Sequence, residues 1–342
     1  MASMQIPPNI QPAFDLQALN TLSIPARAEY FIAASSVEEI CGALAWAGSH
    51  NLPVTILGGG SNVVLSEQIA GLVLQPQVLG VHLDGQTNIV TAGAGENWHA
   101  LVAWCVDNKL YGLENLGLIP GMVGGAPIQN IGAYGVELND VFYSLTAIEK
   151  ATGALRTFNR DDCEFAYRDS IFKRRCKNQY VIVSVSLQFS RDAKVNISYP
   201  ELKKYFSDHG INSPTPEQVF GAVVEVRQAK LPAPAQLPNA GSFFKNPVIT
   251  PEQYSVIKNR YPEIVAYPQS ATEIKLAAAW LIDSLGWKGR ERHGVIVHKN
   301  QALVLTNPNR AAAAQILKVA SDIQADVLNK YGVELEIEPQ VI

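Results

Sequence analysis

Residues 112–135 hold seven glycines in 24 positions, and no other feature narrows the fold as much. Glycine tolerates positive φ and lets backbone or ligand approach closely, but it weakens helices and strands. Regular structure is therefore expected to be sparse across this stretch. Two shorter turns precede it, Gly58-Gly59-Gly60-Ser61-Asn62 and Gly93-Ala94-Gly95-Glu96-Asn97-Trp98. Such a turn presents successive backbone N–H groups as a concave donor surface suited to a diphosphate. The first turn does not fit the dinucleotide fingerprint, because a third glycine would fall at Val63 and the residues after it are strand-like. It also lacks the Gly-Lys pair of a P-loop. Read alone, it is a hairpin loop between strands at 53–57 and 63–65. Three such turns in one α/β region fit a long dinucleotide lying across several of them.

Ordinary elements surround these turns. Ser35-Ser36-Val37-Glu38 reads as a capping box, with Val37, Ile40, Cys41 and Leu44 recurring on one helical face. Residues 180–189 alternate like a sheet strand, and 214–227 has the Pro-Glu start and apolar spacing of a helix. In 312–331, Ile316, Val319, Ala320, Ile323, Val327 and Tyr331 share a face, and Gly332 stands where a C-terminal cap belongs. Beyond it Val333, Leu335 and Ile337 alternate with Glu334, Glu336 and Glu338, which reads as a strand carrying three carboxylates on one face. The prolines of Leu231-Pro232-Ala233-Pro234 and Leu237-Pro238 mark a connector and a domain boundary. No internal repeat or low-complexity tract is present.

At 342 residues, 47% hydrophobic and 17% charged, the chain reads as a globular enzyme-sized protein of two or three domains. A net charge of -4 provides no basic field for a polyanion, so nucleic acid is not an expected partner. The first basic residue is Arg27, so the start lacks the charged and apolar regions of a secretory leader. The longest apolar stretches, such as 276–282, are far short of the ~18 residues that cross a bilayer. A cytoplasmic protein with no membrane span is expected. Cys41, Cys105, Cys163 and Cys176 form no CxxC pair and read as reduced thiols. The six histidines show no ligand spacing, and no metal site is expected.

The string Gly121-Met122-Val123-Gly124-Gly125-Ala126-Pro127-Ile128-Gln129-Asn130-Ile131-Gly132-Ala133-Tyr134-Gly135 closely resembles the UDP-N-acetylenolpyruvoylglucosamine reductase family. Four further strings agree: Ile56-Leu57-Gly58-Gly59-Gly60-Ser61-Asn62, Tyr167-Arg168-Asp169-Ser170-Ile171-Phe172, Ala240-Gly241-Ser242-Phe243-Phe244-Lys245-Asn246-Pro247 and Leu335-Glu336-Ile337-Glu338. They fall in the family's order between about residue 20 and the C-terminus. The resemblance implies a mixed α+β and α/β fold, with an FAD-binding module of the vanillyl-alcohol-oxidase (PCMH) type in two lobes and a separate C-terminal α/β substrate domain. It places the first lobe at 20–75, completed by 332–342, the second at 76–230 and the substrate domain at 231–331. FAD would be held by Gly58, Gly59, Gly60, Ser61, Asn62, Gly121, Gly124, Gly125, Ala126, Gln129, Asn130, Gly132 and Ala133. With no histidine in the first loop to attach it, FAD should be non-covalent.

The implied activity is NADPH-dependent reduction of UDP-N-acetylglucosamine enolpyruvate to UDP-N-acetylmuramate, in peptidoglycan biosynthesis. Hydride delivered to the terminal carbon of the enol ether leaves negative charge on the adjacent carbon. The resemblance assigns Arg168 to stabilise that charge, since a guanidinium never titrates away. Glu338 would assist, with a raised pKa. Ser242 would donate the quenching proton. A two-residue shift of the terminal segment would put Gln340 in place of Glu338; the ungapped alignment keeps Glu338. Tyr134, Tyr199, Arg227, Lys230, Asn246 and Gln301 match substrate contacts, and Asn196-Ile197-Ser198-Tyr199-Pro200-Glu201-Leu202 looks like the tyrosine loop of the family's first type, which covers the substrate. Away from these motifs, Arg168 is an ordinary salt-bridge arginine and Ser242 a turn serine. Nicotinamide and sugar should take turns in one cleft of a monomer, with ping-pong kinetics. One departure is Asn20-Thr21-Leu22, where the family commonly has an aromatic third residue, and local packing is the point it questions. Two other functions fit the same motifs. Another FAD-dependent sugar or alcohol oxidase of the superfamily would pass electrons to oxygen, and a catalytically silent UDP-sugar- or flavin-binding paralogue would not turn over.

Overall fold

The computed structural model describes residues 6–192 and 194–342. Residues 1–5, the start of the segment read for a leader, lie outside the described residues. The chain packs into two compact units. The first comprises residues up to Phe14 with Ala28–Gly60 and Gln68–Ala229, and the second comprises Asp15–Arg27, Ser61–Glu67 and Lys230–Ile342.

The first unit contains two larger sheets, of four and five strands, besides a two-stranded pair. One orders its strands Gln11–Asp15, Arg27–Ala34, Gln68–Pro76 and Val54–Ile56, with the last two parallel in the register Val54 to Leu72 and Ile56 to Leu74. The helix Val37–Ser49 buries Ile40, Ala43, Leu44, Trp46 and Ala47 in the same core as Ile32, Leu72 and Leu74. Its cap lies one residue later than the sequence pattern suggests. Ser36 Oγ accepts the Glu39 N–H at 3.2 Å, and the Glu39 carboxylate receives both the N–H and the hydroxyl of Ser35. Two serines precede two glutamates, so either spacing was available, and the later one satisfies Ser35 as well as the helix end.

The other sheet is antiparallel and runs Leu155–Asn159, Phe142–Glu149, Tyr180–Gln188, Ile89–Gly93 and Val81–Asp84. Both of its faces are covered. Val181 and Val183 join the core under the helix Val37–Ser49, whereas Ile182, Val185 and Leu187 join a core built on Trp98, Phe142 and Phe158. Strict alternation would put Val183 with Val185. The register instead steps from Thr146 opposite Ser184 to Ala147 opposite Ile182, and the extra residue turns Val183 to the other face. The glycine-dense stretch has little regular structure, as expected: 3-10 turns at Glu114–Leu116 and Val123–Gln129, and two-residue strands at Gly132–Ala133 and Val136–Glu137. The helix read at 214–227 is present as Pro216–Lys230.

In the second unit, one antiparallel sheet orders Asn239–Ser242, Val304–Thr306, Val295–Val297 and Glu291–Arg292. The helix Ala313–Tyr331 buries the expected residues, and Gly332 closes it in the left-handed region at φ 67°, its N–H bonded to the Leu328 carbonyl at 2.8 Å. Leu22 is 1% exposed and belongs to this core, so the leucine side chain is accommodated at that position.

Two expectations need correction. Val63–Val64 does not return as a hairpin on Val54–Ile56; it pairs in parallel with Gln340–Val341, while Val54–Ile56 pairs with Gln68–Pro76. Local sequence shows two strands and a turn, but a partner at the far end of the chain is invisible to it. Segment 333–338 buries Val333 and Leu335 as the alternation predicts, yet it forms a single antiparallel bridge, Ile337 to Phe244, rather than a ladder. Among the described residues no helix is long and apolar enough to cross a membrane.

Candidate active site

In the first unit the glycine turns pack on one another. Gly124 donates its N–H to the Ala94 carbonyl at 2.9 Å, and Trp98 donates its backbone N–H to the Gly121 carbonyl at 3.1 Å. Backbones can come this close only without side chains between them. A Cβ on Gly124 would lie 2.7 Å from the Ala94 Cβ, and one on Gly59 would lie 3.0 Å from the Gly121 Cα. Gly58 and Gly125 are different: a Cβ there would meet nothing within 4 Å. Among the described residues, the N–H groups of Gly58 and Gly59 have no acceptor. Gly58 combines open backbone with an unspent donor, the arrangement a diphosphate requires, so this turn fits the phosphates of FAD. Ser61 and Asn62 belong to the second unit, where Ser61 accepts from Thr21 Oγ1 at 3.4 Å and the Asn62 carbonyl accepts from the Gln340 N–H at 3.0 Å.

Three expected site residues of the first unit hold left-handed backbone: Asn130 at φ 46°, Tyr134 at φ 49° and Arg168 at φ 54°. Each costs of order 1 kcal/mol or more, and persists only where surroundings fix it. The surroundings here are explicit. Asn130 is 1% exposed; its amide donates to Glu137 Oε2 at 2.7 Å and the Ala166 carbonyl at 3.2 Å, and its oxygen accepts from the Asn139 N–H at 3.0 Å. Its side chain therefore joins the 130–139 loop to the segment leading into Arg168. The Tyr134 carbonyl is held by Asn115 Nδ2 at 3.0 Å, and the same amide donates to the Asn196 carbonyl at 2.8 Å. That bond ties the Tyr134 loop to the segment leading into Tyr199. The two tyrosine rings meet edge to face, with centroids 5.3 Å apart. Arg168 Nη2 donates to the Gly132 carbonyl at 2.5 Å, which links an expected catalytic residue to an expected cofactor residue.

Arg227 lies on the helix Pro216–Lys230, and its Nε is buried with no hydrogen-bond partner. Burial, with the nearby Arg168 charge, lowers its pKa, while Tyr134 opposes that shift. Burial pushes the Tyr134 phenol up, against the pull of Arg227. Two guanidinium groups and a tyrosine that influence one another make an electropositive, partly desolvated cluster suited to an anionic substrate.

In the second unit, Ser242 is exposed at the end of a strand, after Gly241 at φ 68° and before the fully buried Phe243. The Phe243 carbonyl accepts the Glu338 N–H at 3.0 Å, and the Glu336 carbonyl accepts the Lys245 N–H at 2.9 Å. This short pairing sets Glu338 beside the residue that follows Ser242. Gln340 is engaged elsewhere, in the strand opposite Val63. Asn246 Oδ1 accepts the Ala278 N–H at 3.0 Å at the start of the helix Ala278–Asp283, and Gln301 is half-buried. Lys230 opens this unit at the end of its helix.

Sequence reasoning passed over Asn115, Glu137 and His99, which brace the sites of the first unit. Only His99 had a local signal, being the residue after the Gly93–Trp98 turn. Asn115 acts through backbone carbonyls distant in sequence, and Glu137 through the Asn130 side chain.

The fold and the packed turns define a flavin-binding protein, and residues 28–159 match the FAD binding domain family. Residues 233–342 match the family described as UDP-N-acetylenolpyruvoylglucosamine reductase, C-terminal domain. Over 335 residues the chain is 46% identical to the UDP-N-acetylenolpyruvoylglucosamine reductase of Pseudomonas syringae pv. syringae (strain B728a), covering 97% of this chain and 98% of that one. The crystal structure of the UDP-N-acetylenolpyruvylglucosamine reductase of Thermus caldophilus superposes with a TM-score of 0.68 at 21% identity, over 97% of this chain and 98% of that one. The 6-hydroxy-D-nicotine oxidase of Arthrobacter nicotinovorans shares the fold more distantly, with a TM-score of 0.56 at 13% identity over 98% and 88% of the two chains. The mixed α/β fold with an FAD-binding module of the PCMH type and a distinct C-terminal domain is the one expected. The chain belongs to the UDP-N-acetylenolpyruvoylglucosamine reductase family.

Proposed function

We propose that the chain reduces UDP-N-acetylglucosamine enolpyruvate to UDP-N-acetylmuramate for peptidoglycan synthesis, with electrons from NADPH and with FAD bound non-covalently. One observation carries the reading furthest. In a chain alike over nearly its whole length to named reductases, the Glu338 N–H bonds the Phe243 carbonyl at 3.0 Å, which gives Ser242 and Glu338 a common support. The same pairing favours Glu338 over Gln340 as the acidic residue of the site.

Bound FAD supplies a relay that takes hydride from NADPH and returns it to the substrate's terminal carbon. The chain's own groups do the rest. The backbone of Gly58, Gly59, Gly60, Ser61, Asn62, Gly121, Gly124, Gly125, Ala126 and Gln129, with Gly132 and Ala133, receives the cofactor, while Asn130 shapes that wall through its buried amide. Arg168, held by its bond to Gly132, stabilises the negative charge left on the carbon that bears the carboxylate. Ser242 Oγ gives that carbon its proton, so two electrons from NADPH and one proton complete the saturated lactyl ether. Glu338 assists at the same carbon. Tyr134, Tyr199, Arg227, Lys230, Asn246 and Gln301 bind the UDP-sugar. Residues 20–75 with 332–342, and 76–230, serve FAD, and 231–331 serves the substrate. The protein works as a cytoplasmic monomer with ping-pong kinetics.

An absorbance spectrum of the purified protein tests the reading. The flavin band should bleach with NADPH in the absence of oxygen and return when the enolpyruvyl UDP-sugar is added. Restoration only by oxygen, with a sugar or alcohol serving as reductant, would make the protein an oxidase. A flavin that NADPH never bleaches would leave a binding protein.

A further inference from the structure

The loop 116–121 leads into the glycine turn Gly121–Gly125 under conditions that need explaining. Leu118 sits at φ 58°, a conformation that a leucine adopts only when held. What holds it is the first turn of the helix Trp98–Asp107. Trp98 fixes both ends of the loop: its Nε1 donates to the Leu116 carbonyl at 3.0 Å, and its backbone N–H donates to the Gly121 carbonyl at 3.1 Å. His99 fixes the middle, where its Nδ1 accepts the Leu118 N–H at 3.0 Å. That bond requires an unprotonated Nδ1 and so places the ring proton on Nε2.

The same imidazole stacks on Phe220, with centroids 5.6 Å apart and planes at 22°. Phe220 lies on the helix Pro216–Lys230, seven residues, about two turns, before Arg227, so the two residues share a face. The Phe220 ring also fills the space beside Gly117, where a Cβ would meet it at 2.8 Å. Burial, together with the positive charge of Arg227, holds the His99 imidazole below its ordinary pKa. One side chain therefore contacts the cofactor-loop approach on one side and the Arg227 helix on the other.

We propose that His99 is a positioning residue: it locks the 116–121 loop into the shape that presents the Gly121–Gly125 backbone to FAD, and it does so through Nδ1 rather than through ring bulk alone. The proposal rests on the flavin reading above. Two variants separate acceptor from ring. His99→Phe keeps the stack on Phe220 and removes the acceptor, while His99→Asn places an amide oxygen near the Nδ1 position and removes the ring. A half-buried N–H left without an acceptor is still penalised, so the loop should loosen in His99→Phe only.

Hydrogen exchange of FAD-free protein reads the loop without reference to ligand. Segment 116–121 should exchange at least tenfold faster in His99→Phe and within threefold of wild type in His99→Asn. In the holoprotein, release of FAD, followed by its fluorescence, should accelerate at least tenfold in His99→Phe and be restored to within threefold by His99→Asn. Equal behaviour of the two variants in exchange, whether both fast or both unchanged, would overturn the proposal, because ring packing or nothing would then be the determinant. Exchange that separates the variants while FAD release does not would overturn the link to the cofactor loop. A wild-type protein that takes up no FAD would refute the flavin reading instead, and the exchange result would still decide what His99 holds.

Discussion

The expected site residues of the two units are held in different ways. In the first unit, Arg168 and Tyr134 stand at positive φ, kept there by side-chain bonds from Asn130, Asn115 and Arg168 itself to carbonyls remote in sequence. In the second, neither Ser242 nor Glu338 stands at positive φ, and each lies close to a single bridge, Phe244 to Ile337, over a well-packed core. The first arrangement stores strain against a network, and the second relies on pairing and burial. A site held by a network should fail through its braces as well as through its reacting groups, whereas a paired site should fail mainly through the reacting groups.

The contrast can be broken first at Ser242. With Ser242→Ala, kcat should fall about a thousandfold or more, with the loss confined to the second half-reaction: NADPH still bleaches the flavin band and the enolpyruvyl substrate fails to restore it. Unchanged turnover would remove Ser242 from the mechanism. Next comes Arg168→Lys, expected to cost about 10²-fold in kcat/KM, because an ammonium keeps the charge but not the fork that meets both the Gly132 carbonyl and an anion. A loss below threefold would make Arg168 a structural cation.

The braces give smaller effects. Asn130→Ala should destabilise the protein by about 2 kcal/mol in denaturant unfolding, since it strands the Asn139 N–H and removes one donor from the Glu137 carboxylate. No change would mean the strained loop holds itself. The smallest effect should come at Glu217, which accepts from Lys109 Nζ at 2.7 Å and Tyr111 OH at 2.9 Å at the start of the Arg227 helix. The Lys109 bond is the main cause that lowers its carboxyl to about 2. A depressed pKa stabilises the fold above the unfolded value of roughly 4.3 and is lost as pH falls toward the folded value. Because the carboxylate is more than a third exposed, Glu217→Gln should cost under about 1 kcal/mol at pH 7, and the difference should vanish near pH 2. A difference that persists at pH 2 would point to packing rather than charge.

The same contrast explains what the sequence disclosed. The helix Ala313–Tyr331 was legible to its cap because its signals are local: apolar spacing at 3.6 residues, then glycine. The alternation after Gly332 gave the right buried residues but not the pairing, since one bridge to Phe244 depends on a segment some ninety residues earlier. The capping box was ambiguous between two equal spacings. Motif strings singled out Arg168, Ser242 and Glu338, yet nothing near Tyr134 announces positive φ, because the amide that holds its carbonyl belongs to Asn115, 19 residues away. His99 was unremarkable until its neighbours were known.

The pairing of Val63–Val64 with Gln340–Val341 bears on how the protein is made. On a ribosome the early strand emerges long before its partner, so its hydrogen bonds in this pairing must wait until Gln340 and Val341 have been translated. A nascent polypeptide cut short before Gln340 would leave that strand edge bare, and Glu338 would lose the anchor just beyond it. Products truncated before Gln340 should thus be unfinished in this unit and open to proteases, which makes translation through Val341 a condition for assembling its acidic residue.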